Sequence, residues 1–154
     1  MTYPETTHRA NDRILPRKEL LLLACRGLPH DDHPMLEAAG ELAQLHEIRE
    51  RTPAGQMDKL ERRRGQLIRS IDLWVTVATP APVYGARAHT ETVGQLVDRL
   101  ARLTAQAFIP LACAPDPVFY DAWVCLAEQA DAYQDLVDDL RCGARKLPVR
   151  SRHW

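Results

Sequence analysis

No stretch of this 154-residue chain is apolar for long enough to span a bilayer or to form the core of a secretion signal. The longest apolar run, Leu20 to Cys25, falls far short of the ~20 residues that a crossing helix needs. An excess of one charge sign is missing too. The 20 Lys and Arg residues nearly balance 21 Asp and Glu, giving a net charge of -1 and an isoelectric point near 6.6, so no global field steers the chain toward nucleic acid. The four cysteines, Cys25, Cys113, Cys125 and Cys142, form no CxxC pair, which argues against a zinc ribbon or a disulfide framework. They are expected to be reduced and buried. Cys142 stands apart, because Arg141, Arg145 and Lys146 surround it while the negative end of a helix dipole opposes their effect. A Gly-rich phosphate loop and a nucleophile elbow are also absent, and none of the helical patterns carries the Glu-x-x-His pair of di-iron bundles. These absences together lead to an expectation of a cytoplasmic protein with no membrane association, no cofactor and no metal, and with no role in nucleic-acid binding.

No segment shows sustained period-two alternation, whereas helical periodicity recurs along the chain. Pro16 opens a short helix that Gly27 closes. Pro34 opens a second, which ends near Arg51 at the breaker Thr52-Pro53-Ala54-Gly55. The third is expected from about Gln56 to Ala78, where Pro80 and Pro82 forbid its continuation. Thr90 is the expected N-cap of a fourth helix, and Asp116, Pro117 and Gly143 punctuate a fifth. The expected architecture is all-α: four main helices in a bundle plus a short N-terminal helix. With 45% hydrophobic residues the chain can bury one core, so a single domain over 14–148 is expected, between a disordered tail at 1–13 and a basic tail at 149–154.

Several charged residues sit where apolar ones belong. In the second helix the stripe Met35, Ala38, Leu42 and Leu45 continues into His46 and Arg49. In the third, Met57, Leu60, Leu67, Ile71 and Val75 are centred on Arg64, with Asp72 at the edge of that face. A buried guanidinium is costly unless paired, so Arg64 is expected to be largely buried and bonded to Asp72, Asp98 or Glu91. His46 and Arg49 are expected to face the core as well, either pairing with Asp72 or Asp98 or holding an anion. At the start of the fourth helix His89, Thr90 and Glu91 offer a capped helix end or an anion site. A strip of small residues, Gly94, Ala101 and Ala105, invites close approach by the N-terminal helix or by a second copy of the chain, with an intramolecular cover favoured. His46, His89, Glu91 and Asp98 are the residue types of a transition-metal site, and the acidic face Asp131, Asp135, Asp138 and Asp139 is that of a Mg²⁺ site. Interhelical ion pairs and a solvated face are the plainer accounts of both.

The ordered segments LLxAC-RG, HPxLExAxELAxLHExR, RxxLIxxIDxWV, HTExVGxxVDRLA and YxDLxxxxxxGxRKLP resemble the actinobacterial branch of domain-of-unknown-function family 4254, from about Leu15 to Pro148. The resemblance implies a helical fold and directs attention to His46, Glu47, Arg49, Arg64, Asp72, Trp74, His89, Glu91, Gly94, Asp98, Arg99, Tyr133 and Gly143. It implies no activity. The function expected from the residues is a helical-bundle module with a polar seam of His46, Arg49, Arg64, Asp72, His89, Glu91 and Asp98, binding a small anionic ligand or a protein partner. One alternative is an enzyme with His46 or His89 as general acid/base and Arg64 as electrostatic stabiliser. The other is a purely structural or oligomerisation module.

Overall fold

A computed structural model describes residues 14–108 and 116–148, without the side chains of 116–119. The expected tails at 1–13 and 149–154, Cys113, and the side chain expected to cap at Asp116 lie outside the described residues. The described chain is mostly helical: α1 (Lys18–Cys25), α2 (Pro34–Glu50), a 3-10 turn (Ala54–Gln56), α3 (Met57–Ala78), α4 (Val93–Phe108) and α5 (Asp116–Arg141).

Local chemistry fixes the helix ends. α1 ends in a Schellman motif, in which Gly27 at φ 74° donates to Ala24 O and Leu28 to Leu23 O. α2 begins with Pro34 in its first turn, and the His33 ring accepts the Met35 N–H at 3.0 Å. α5 ends as α1 does, with Gly143 N bonded to Leu140 O and Ala144 N to Asp139 O. The cap of α4 differs from the expected Thr90. Thr92 Oγ1 accepts from Gln95 N while Gln95 Oε1 accepts from Thr92 N, a reciprocal box that satisfies two donors at once.

α4 is the central element and packs against all four other helices. Val93, Val97, Leu100 and Ala101 are fully enclosed, against Leu42 of α2, Ile71 and Val75 of α3, and Tyr133 and Val137 of α5 in one continuous core. The small-residue strip is covered within the chain, as favoured, although at Gly94 the cover is α3 rather than the N-terminal helix. A Cβ at Gly94 would lie 2.5 Å from Ile68 O and 2.7 Å from Asp72 Oδ1, so only glycine allows the two backbones to meet there.

Side chains tie down the chain ahead of α1. Trp74 Nε1 donates to Ile14 O, Arg141 Nη2 to Leu15 O and Tyr133 Oη to Pro16 O, all at 2.7–2.8 Å. Between α3 and α4 the proline-rich loop is stitched to the chain beyond α5. Val83 N donates to Gly143 O and His89 N to Lys146 O, flanking a parallel pairing of β1 (Arg87–Ala88) with β2 (Arg145–Lys146). The sequence expectation held no strand, and two-residue strands are too short to show a period. Among the described residues no helix is long and apolar enough to cross a membrane. Of the described cysteines, Cys25 is buried as expected, but Cys125 and Cys142 are exposed, because Cys125 lies off the core stripe of α5 and Cys142 lies in the turn just past its end.

Candidate functional site

Asp98 is the centre of the polar seam. It sits midway along α4 with 6% of its surface exposed, and three donors from two neighbouring helices converge on it. From α2, His46 Nε2 lies 2.8 Å from Oδ1. An ionised carboxylate can only accept, so Nε2 carries the proton in that bond. From α3, Arg64 Nε lies 3.1 Å from both oxygens and Nη2 2.7 Å from Oδ2, a fork-on-fork pairing. Burial pushes the Asp98 carboxyl up, yet the bonds from His46 and Arg64 outweigh it and hold the group at about 2, below the usual 3.8. The bond to Asp98 likewise raises the Arg64 guanidinium above its usual range against the opposing effect of burial.

The network extends outward from this centre. Arg64 Nη1 donates to Glu61 Oε2 at 3.0 Å, and Arg49 Nη1 lies 3.2 Å from Glu61 Oε1. Arg49, Glu61, Arg64 and Asp98 thus form one chain of opposite charges across α2, α3 and α4, and His46 joins it through its hydrogen bond to Asp98. Two expectations need correction. Arg64 is not largely buried, since 32% of its side chain is exposed, and Arg49 does not face the core, being 44% exposed near the end of α2. Arg64 leans out along the rim of its apolar face to meet Glu61, and Arg49 lies on the wall of a hollow between α2 and α4, where it also meets Glu61.

The remaining expected residues act elsewhere. Asp72 Oδ1 accepts the Gly94 N–H at 2.8 Å, placing a carboxylate on the electropositive N-terminus of α4. Glu91 receives both terminal nitrogens of Arg99. The His89 ring is folded back on its own turn, with Nδ1 accepting from Glu91 N at 3.1 Å. Among the described residues no three His, Cys, Asp or Glu side chains are grouped to hold a metal. On the acidic face of α5, Asp131 pairs with Lys18, Asp138 with Arg141 and Asp139 with Arg145.

Hollows border the network among the described residues. A wide one of about 830 Å³ runs along α3 from Asp58 past Glu61 to Arg69. Two others lie against α4. The larger of these, of about 610 Å³, lies between α3 and α4, and its acids Glu61, Glu91 and Asp98 are matched by Arg49, Arg64, Arg99 and His46. The smaller, of about 210 Å³, lies between α2 and α4 and is lined by His46, Arg49, Glu50, Arg102, Ala105 and Gln106. Arg102 lines both, and among the described residues no acid stands within ion-pairing distance of it. Reasoning from sequence missed this residue, although it lies one turn beyond Asp98 on the same side of α4.

The model of the family described as Protein of unknown function (DUF4254) matches residues 44–109. That stretch holds the second half of α2 with α3 and α4, and hence Arg102 and every member of the network. No curated protein and no solved structure matches the chain.

Proposed function

We propose that this helical domain binds a small anionic ligand in the 210 Å³ hollow between α2 and α4, with His46, Arg49 and Arg102 as its donors. The observation that carries this reading is Arg102. Every acid of the network already has a cation, whereas Arg102 opens on the hollow and makes no ion pair among the described residues, Glu50 being the acid on the same wall. A guanidinium held at the mouth of a concavity suits a carboxylate or phosphate. The volume is below the roughly 300 Å³ at which pockets for drug-sized molecules begin, so it suits a single anionic group. Ala105 forms part of the wall, and its small side chain leaves the space open.

The test is a thermal-shift titration with inorganic phosphate and with malonate. An anion at one hundred times its Kd adds about 2.7 kcal/mol by mass action. Both Arg102→Ala, which removes charge, and Ala105→Leu, which fills the space, should abolish the shift. Arg62→Ala, on the outer face of α3, should leave it intact. No shift in the parent protein at any anion concentration refutes the proposal.

A second reading has its own support in the Asp98–His46 bond. A carboxylate that fixes one ring nitrogen leaves the other for proton transfer, the arrangement that general acid/base catalysis uses. Arg64 is a poor electrostatic stabiliser in this reading, since Asp98 and Glu61 already engage it. Arg102 takes that role.

A further inference from the structure

Among the described residues the His46 ring makes one hydrogen bond, from Nε2 to Asp98, and the same ring lines the 210 Å³ hollow. We infer that the hollow takes a tetrahedral oxyanion of the phosphate and sulfate class, and that the anion binds together with a proton taken up on His46 Nδ1. This rests on the anion-binding reading above and extends it to the chemistry of the bound state.

The tautomer carries the argument. Because Nε2 donates to Asp98, a neutral His46 holds its lone pair on Nδ1, the nitrogen left for the hollow. A lone pair repels an incoming anion, whereas Nδ1–H donates to it. Binding therefore draws one proton from solvent onto Nδ1, and the bound pair is an imidazolium with a dianion. The charges around His46 permit this step. On its own helix Arg49 and Glu50 line the hollow, from α4 come Asp98 and Arg102, and behind Asp98 stand Arg64 and Glu61 of α3. α1, which also packs on α2, contributes nothing to the lining. With the hollow empty, a second proton on His46 would face Arg49 and Arg102 as well as Glu50 and Asp98. With a dianion there, Arg102 and the imidazolium gain an anionic partner, Arg49 keeps Glu61 beside it, and Asp98 still accepts from Nε2. Donors arriving from two helices match an anion with oxygens on every side better than a planar carboxylate.

Isothermal titration with sodium sulfate at pH 8, in two buffers of different ionisation enthalpy, reads the proton count directly. Sulfate takes no proton in this range, so any uptake belongs to the protein. The expected result is uptake of about one proton per sulfate. In His46→Gln, whose amide can still donate to Asp98, uptake should vanish and affinity should fall at least tenfold while the fold is retained. Inorganic phosphate should behave as sulfate does, and malonate should bind more weakly than either. Binding without proton uptake, uptake that survives His46→Gln, or malonate binding tighter than sulfate overturns this inference and leaves the anion site standing. Failure of all three anions to bind overturns both.

Discussion

Replacing Asp98 with asparagine removes one charge from the centre of the network while keeping its shape. The magnitude follows from the carboxyl's own titration. Its pKa of about 2 in the fold, against 3.8 unperturbed, means that the ionised form is favoured by nearly two pH units' worth of interaction with His46 and Arg64. At 1.36 kcal/mol per unit this amounts to about 2 kcal/mol. Because the folded pKa lies below the unfolded one, that stability is fully present above about pH 4 and is lost as the pH falls through 2. The uncharged amide of the variant mimics the protonated carboxyl at every pH. Urea unfolding of the parent and of Asp98→Asn should therefore differ by about 2 kcal/mol at pH 7, by a similar amount at pH 5, and progressively less between pH 4 and pH 2. Other carboxylates titrate in the same interval, but they do so in both proteins and cancel in the difference. A gap that stays constant down to pH 2, or one below 0.5 kcal/mol at pH 7, would refute the claim that Asp98 is the anionic hub of the bundle.

Three further outcomes test the packing. Gly94→Ala should destabilise by about 1–3 kcal/mol, since its Cβ would strike Ile68 O and Asp72 Oδ1, whereas Gly65→Ala should stabilise by about 0.5–1 kcal/mol, since its Cβ meets only the tip of Arg69 at 3.4 Å; urea midpoints moving the same way for both would contradict this. Tyr133→Phe should cost about 1–2 kcal/mol in denaturation, because the buried Pro16 carbonyl loses its donor, and no loss would show that water replaces the hydroxyl. Burial pushes the Cys25 thiol up to about 12, so mass-spectrometric mapping after brief alkylation of the native protein at pH 8 should find Cys125 and Cys142 modified and Cys25 untouched until the chain unfolds.

The helices were legible in the sequence because their ends carry backbone chemistry that does not depend on neighbours. Gly27, Pro34 and Gly143 act where the periodicity places them. Thr90 and Thr92 are both plausible caps from composition, and only the partner three residues on decides between them: Gln95 completes the box with Thr92. A helical wheel gives the direction in which a side chain leaves its axis. It correctly identified Arg64 as needing a carboxylate, and it could not choose among Asp72, Asp98 and Glu91, because that choice depends on the height at which α3 and α4 cross. The same limit explains Arg49. Its direction continues that of His46, but one turn further along α2 the gap toward α4 opens into the hollow, and Arg49 lies half-exposed on its wall beside Glu61. Arg102 was lost for the opposite reason. On a wheel it falls on the charged side of α4, and only the gap left between α2 and α4 beside Ala105 makes that side part of a hollow. The pairing of β1 with β2 joins residues far apart in the chain through two residues each, which leaves no periodic signal.

Asp98 and Arg102 lie one turn apart on α4, yet the structure gives them opposite energetic signatures, and that contrast separates a structural seam from a binding site. Asp98 is buried and triply bonded, so removing its charge should cost stability at any anion concentration. Arg102 is exposed and makes no ion pair among the described residues, so Arg102→Ala should change the unfolding free energy by less than about 0.5 kcal/mol in anion-free buffer. Adding phosphate should then open a gap between the parent and Arg102→Ala that grows with the logarithm of concentration, at about 1.4 kcal/mol per tenfold once the parent's site is nearly full. Equal destabilisation by both substitutions in anion-free buffer would mean that Arg102 is one more member of the salt-bridge network. In that case the three-helix seam would be a device for fixing the register of α2, α3 and α4, and the hollow would bind nothing.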